Sequence, residues 1–129
     1  MTSENDDKRK AAEADAQIDF ICELLHLHDV AEEDRKVDAL RAILETPLTV
    51  SVRSNWQAPG TPLVPAEYEV LLSWGGPATR IIGELRDGVP VSVRLEHQDW
   101  FTAWRDHAVL YEYHQRRLME FVRLLVLPS

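Results

Sequence analysis

The period of the apolar residues changes near Pro47, and no other feature of the sequence constrains the fold as strongly. Before this point, apolar side chains in residues 18–25 recur three and four positions apart, which is the spacing of one helix face. After it, apolar and polar residues alternate in residues 48–53, which is the spacing of a half-buried strand. Helices are therefore segregated from strands along the chain, and this predicts an α+β fold.

The same patterns place the individual elements. Two helices form an acidic αα-hairpin, four strands form an antiparallel meander, and a long C-terminal helix closes the chain. Asp34 is the expected N-cap of the second helix, and Pro47 ends that helix. The predicted helices cover residues 11–29, 34–46 and 102–127, and the predicted strands cover residues 48–53, 67–74, 78–85 and 89–97.

Several side chains are expected to face the core because they continue an apolar stripe. They are Phe20 and Leu27 in the first helix, Val37 and Leu44 in the second, Trp74 in a strand, and Leu110 in the last helix.

Turns and tryptophans complete the predicted layout. Gly75 and Gly76 allow a chain reversal, and a three-residue bulged turn at 86–88 is favoured over a two-residue turn at Asp87 and Gly88. Trp56 lies on the proline-rich segment 54–66 and is the best candidate for an exposed anchor. Trp100 and Trp104 are expected to cover the end of the sheet.

Length and composition predict a single domain at residues 11–129, preceded by a flexible segment at residues 1–10. Cys22 is the only cysteine, so no disulfide can form within the chain. The sequence shows neither a signal-peptide pattern nor an apolar run long enough to span a membrane. We therefore expect a soluble protein without membrane contact.

Acidic residues are concentrated in the N-terminal third. Residues 1–46 carry 13 Asp and Glu against 6 Lys and Arg, whereas residues 47–129 carry 9 against 8. All basic residues of the second part are arginines. The acidic part repels phosphate and attracts basic protein surfaces, so direct binding of nucleic acid is not expected.

The residues give little support for catalysis or metal binding. Cys22 and His26 are four apart on a helix, but a cysteine in the middle of an apolar face is typical of core packing. The histidine spacings match no metal-binding motif, and the glycines match no phosphate-binding loop. We expect neither a catalytic residue nor a metal or other cofactor.

One alternative site remains open at the end of the fourth strand, where Glu96, His97 and Asp99 follow each other. Such groups could act in acid–base catalysis or hold a ligand. Equally, Asp99 or Thr102 could cap the turn into the last helix.

Two segments carry a resemblance. They are EYEVLLSWGGPATRIIGEL at 67–85 and RLEHQDWFTAW at 94–104. They resemble a family of small phage and prophage proteins with the pattern EYEILL..GGPA.RI.GEL followed by LEYQDW.TPW. Two positions depart from it: His97 replaces Tyr, and Ala103 replaces Pro. The resemblance implies a mobile-element origin, and therefore the cytoplasm of a bacterial host, but it assigns no catalytic residues.

These observations together favour a binding protein over an enzyme. The leading hypothesis is a phage-encoded inhibitor of a host defence complex, similar in kind to anti-CRISPR proteins, whose acidic hairpin occupies a basic nucleic-acid channel. Alternatives are a small enzyme or ligand-binding domain at the Glu96 corner, and a phage accessory or assembly protein that self-associates as a homodimer. The expected partner-binding residues are Asp15, Asp19, Glu23, Glu32, Glu33, Asp34, Asp38 and Trp56.

Overall fold

The computed structural model describes residues 2–74, 77–99 and 102–126, with side chains from residue 12 onward. This part of the chain is α+β, as predicted. The helices are α1 (Thr2–Val30), α2 (Glu33–Leu44) and α3 (Glu112–Leu125). The strands are β1 (Thr49–Ser54), β2 (Pro65–Ser73), β3 (Ala78–Arg86), β4 (Val89–Pro90), β5 (Arg94–Gln98) and β6 (Arg105–His107). Helix α1 thus also takes in residues 2–10, for which the sequence predicts a flexible segment.

All strand pairs are antiparallel, and the strand order is β1-β2-β3-β5-β6, with β4 paired to β3 beside this path. The prediction of a four-stranded meander is wrong. Residues 91–93 interrupt the predicted fourth strand, and β6 occupies part of the predicted last helix. Helix α3 starts only at Glu112, so Leu110, which was expected in the core, lies before the helix and is 81% exposed.

The turn between β3 and β4 also differs from the prediction. Arg86 pairs with Val89, so Asp87 and Gly88 form a two-residue turn, and both have positive φ angles, 54° and 79°. A two-residue turn with two positive φ angles has a backbone twist that matches the right-handed twist of the flanking strands. Instead, residues 91–93 contain one residue more than the pairing with β3 requires. The Val91 N–H donates to the Glu84 carbonyl in the register of β4, whereas β3 pairs with β5 in a register shifted by one residue.

Helices α1 and α3 pack on one face of the sheet, which we call the helix face. Directly opposed residues of antiparallel strands point to the same face, so the register assigns each side chain. The buried core lies between these layers. Its sheet residues are Tyr68, Val70, Leu72, Ile81 and Leu95, and its helix residues include Ile18, Ile21, Leu25, Ile43, Leu118, Phe121 and Val122.

Several side chains that were expected in the core lie on the surface instead. Trp74 is 61% exposed, because β2 ends at Ser73 after a register shift and the alternation does not continue. Phe20 and Leu27 lie on the outer side of α1, and Val37 and Leu44 are exposed on α2. Asp34 is not the N-cap of α2, since that position is Glu32 and makes no side-chain capping bond. The expected turn at Gly75 and Gly76 and the position of Trp100 lie outside the described residues.

Candidate functional site

The eight residues expected to bind a partner are all exposed. Asp15, Asp19 and Glu23 follow each other at intervals of four on α1, which places them along one side of that helix. Glu32 occupies the N-cap position of α2, Glu33 and Asp34 lie in its first turn, and Asp38 lies one turn later.

Five of these carboxylates make no ion pair within the part of the chain whose side chains are described: Asp19, Glu23, Glu32, Glu33 and Asp34. Oδ1 of Asp15 lies 2.7 Å from Nε2 of His107, and Oδ1 of Asp38 lies 3.6 Å from Nη1 of Arg41 in the same helix. Among the described side chains of the hairpin, these five carboxylates therefore have no compensating charge nearby.

Apolar side chains lie among the free carboxylates of α1. Phe20, Leu27 and Val30 are 52%, 49% and 62% exposed, and helical spacing places Glu23 between Phe20 and Leu27. We call Asp19, Phe20, Glu23, Leu27 and Val30 the outer strip of α1. The sequence reading assigned Phe20 and Leu27 to the core. The sequence feature that indicates their exposure is the breadth of the apolar face of α1, which is wider than its packed neighbours cover.

Trp56 is fully exposed on the loop between β1 and β2. The loop is braced by Gln57, whose amide donates to the Pro62 carbonyl at 2.9 Å and accepts from Val64 N–H at 3.0 Å. Leu63 and Val64 on the same loop are also exposed. Trp56 thus lies on a different element from the carboxylates, and the structure gives no contact between them.

The corner formed by Glu96, His97 and Asp99 does not converge on one site. Glu96 and His97 are adjacent on β5 and so point to opposite faces of the sheet. His97 is buried on the helix face, where its ring lies 5.7 Å from that of His107. Asp99 forms a turn with Thr102, whose hydroxyl accepts from Asp99 N–H at 3.0 Å.

The other side of the sheet, the open face, carries a ladder of ion pairs. Arg80 lies at its centre: Nη1 is 2.7 Å from Glu69 Oε2, and Nη2 is 2.7 Å from Glu96 Oε1. Its guanidinium also stacks on Trp104, 4.2 Å from the ring centroid. Arg94 reaches Glu96 at 3.4 Å and Asp106 at 3.1 Å. Sequence reasoning missed this ladder, because it depends on strand register.

A cleft of about 450 Å³ lies on the open face, within the range typical of ligand sites. Ile82 provides apolar surface at its centre, since it is directly opposite both Glu69 and Arg94. Its charged lining comes from Arg53, Glu67, Glu69, Arg80, Glu84 and Arg94. Arg53 pairs with Glu67, whereas Glu84 makes no ion pair among the described side chains.

Ser92, which lines this cleft, is held from the helix face by Tyr68, whose hydroxyl donates to the Ser92 carbonyl at 2.7 Å. The phenol ring crosses Gly83, the residue directly opposite Tyr68 on β3. Burial raises the pKa of Tyr68 well above its ordinary value, because an ionised phenolate would lose water and could no longer donate this bond.

Replacing Tyr68 with phenylalanine is expected to lower the free energy of unfolding by about 1–2 kcal/mol, because the partly buried Ser92 carbonyl loses its donor. The pH dependence has a definite sign. An unfolded tyrosine ionises near pH 10 and the folded Tyr68 only above it, so this stability is present below about pH 10 and declines above.

Urea unfolding at about pH 8 and about pH 11, on either side of that value, tests this prediction. Tyr68→Phe should lose less stability between the two pH values than the unchanged protein. Tyr111→Phe is the matched control, because Tyr111 is 65% exposed. An equal alkaline loss in the Tyr68→Phe and unchanged proteins would contradict the assignment.

The remaining sequence candidates form no site. Cys22 is partly buried against the core, and burial is the largest cause that raises the pKa of its thiol, so the reactive thiolate is disfavoured at neutral pH. Residues 2–74, 77–99 and 102–126 contain no group of three or more His, Cys, Asp and Glu side chains that could hold a metal ion. Within the same residues, no helix is both long and apolar enough to cross a membrane.

Comparisons of the chain with family models, with curated proteins and with solved structures gave no significant match.

Proposed function

We propose that this protein is a phage-encoded inhibitor that binds a basic surface of a host defence complex through the acidic hairpin, and so competes with the nucleic acid that the complex handles. The observation that carries the proposal is the outer strip of α1, where Asp19 and Glu23 make no ion pair with any described side chain and Phe20, Leu27 and Val30 are exposed beside them. Plain solvated helices place polar residues on this side.

The composition of the strip fits a basic partner groove. The carboxylates attract Lys and Arg side chains that otherwise contact phosphate, which speeds association and selects the partner. The apolar side chains add burial of the kind by which an amphipathic helix docks in a groove. The resemblance of residues 67–104 to phage proteins adds the biological setting, a bacterial cytoplasm.

Cleavage assays with a panel of RNA-guided nucleases test the proposal, at low and at moderate salt. We expect inhibition by the unchanged protein. Asp19→Asn combined with Glu23→Gln should weaken it roughly tenfold, since two exposed charge interactions contribute together about 1–2 kcal/mol. The loss should shrink at higher salt, because screening weakens exposed charge pairs.

The matched control removes two carboxylates elsewhere, with Asp87→Asn and Glu112→Gln. Both residues are exposed and lie outside the hairpin. This variant should inhibit as the unchanged protein does. Phe20→Ser provides a separate test of the apolar contribution, and its loss should persist at moderate salt. Absence of inhibition across the panel at both salt concentrations would refute the proposal.

A further inference from the structure

We propose that the open-face cleft is a second binding site, specific for a cation on an aliphatic stem, such as a guanidinium group on a short carbon chain. This inference is independent of the outer strip of α1, because the helices pack on the opposite face of the sheet. It rests on the shape of the cleft, on its charges and on its apolar centre.

The cleft lining has three arginines and three glutamates, but two of these arginines also have partners outside it, Glu96 and Asp106. Arg80 is held by Glu69 and Glu96, and Arg94 by Glu96 and Asp106, so both guanidiniums are compensated. Glu84 has no such compensation among the described side chains. An anionic ligand would have to break one of these pairs, whereas a cation meets a free carboxylate.

Two carboxylates also face each other where the cation would bind. Glu67 and Glu84 are directly opposite on β2 and β3, and like charges in this position repel. The Cβ atoms of such a pair lie about 5 Å apart, so one planar guanidinium fits between the carboxylates and can bond to both. Among the described side chains, Glu67 pairs with Arg53 alone, whose side chain is 79% exposed and therefore readily displaced.

The apolar stem of the ligand also has a surface to contact. Ile82 lies two residues before Glu84 on the same face of β3, so a cation bound at Glu84 places its carbon chain over the Ile82 side chain. Arg80 is fixed beyond it by the Trp104 ring, and its charge repels a second cation. The geometry therefore selects a single cationic head with a short aliphatic stem.

Chemical-shift titrations with two probes that each carry one guanidinium and no other charge test the site: free butylguanidinium, and the blocked tripeptide Ala-Arg-Ala. Saturable shifts at residues 67, 82 and 84 are expected with at least one probe. Binding of butylguanidinium alone identifies a small-molecule ligand, whereas equal or tighter binding of the tripeptide identifies an arginine of a partner protein.

Glu84→Gln should weaken binding of the active probe roughly tenfold, the loss expected for one charge-assisted hydrogen bond. The same substitution should slightly raise the melting temperature of the free protein, because it removes the repulsion with Glu67. Glu45→Gln is the matched control on the hairpin and should leave binding unchanged. Absence of saturable binding, or equal affinity in the Glu84→Gln protein, would overturn the inference and leave the role of α1 intact.

Discussion

Replacing Arg80 with methionine is expected to lower the free energy of unfolding by about 2–3 kcal/mol. Arg80 neutralises Glu96, whose side chain is only 9% exposed, and the substitution leaves that carboxylate with the 3.4 Å contact to Arg94 alone. Removing one partner of a fully buried ion pair typically costs about 3–5 kcal/mol. The expected loss is smaller here because Arg80 and Glu69 retain contact with water, which screens their charges. Methionine keeps apolar contact with Trp104, so the loss reports on the charge.

A double-mutant cycle measured by urea unfolding separates this cause from lost packing. Arg80→Met together with Glu96→Gln should recover much of the stability that Arg80→Met alone loses, because no uncompensated carboxylate then remains buried. Arg53→Met is the surface control, since the pair of Arg53 with Glu67 is exposed, and it should change stability little. Equal destabilisation by the single and double variants would show that the stacking on Trp104 dominates.

Replacing Gly83 with alanine is expected to be the most damaging single change, costing roughly 3–5 kcal/mol. An added Cβ would overlap the backbone carbonyl of Ser92 and lie 2.6 Å from the Tyr68 hydroxyl. The Ser92 carbonyl belongs to the backbone and cannot rotate away. The bond from Tyr68 to Ser92 would therefore break, and β3 would separate from residues 91–93.

Thermal unfolding, followed by circular dichroism, measures this effect. Gly60→Ala provides a control: a Cβ at Gly60 meets no atom within 4 Å, so only its positive φ of 86° opposes the change. We expect a much smaller loss there. Combining Gly83→Ala with Tyr68→Phe should restore little stability, because the clash with the Ser92 carbonyl remains. Substantial recovery would instead identify the Tyr68 hydroxyl as the main obstacle.

The positions of β2 and β3 could be predicted because one side of the sheet is buried there, whereas β1 shows the same alternation although its residues are exposed on both faces. Burial of one face imposes strict alternation, as in Tyr68, Val70 and Leu72, and that alternation is visible in the residues themselves. The interruption of the predicted fourth strand at residues 91–93 could not be predicted in this way. It depends on which turn forms at Asp87 and Gly88, and the two turns differ by small local energies that the alternation does not reveal.

The candidate site could be predicted only in part. The excess of carboxylates in the first two helices follows from composition, and the exposure of those residues follows from the cost of burying charge. The apolar half of the outer strip could not be predicted, because Phe20 and Leu27 have the spacing of core residues. Whether such residues are covered depends on how many neighbours reach the helix.

By itself, the sequence determined the fold class, the acidic character of the hairpin and the lack of an intrachain disulfide, because these follow from periodicity, charge and residue type. The tertiary structure alone decided the ladder centred on Arg80, the opposition of Glu67 and Glu84, and the close approach of Ser92 to Gly83. The physical reason is strand register. A shift of one residue moves every side chain to the other face, so contacts between strands depend on the pairing that the whole sheet adopts.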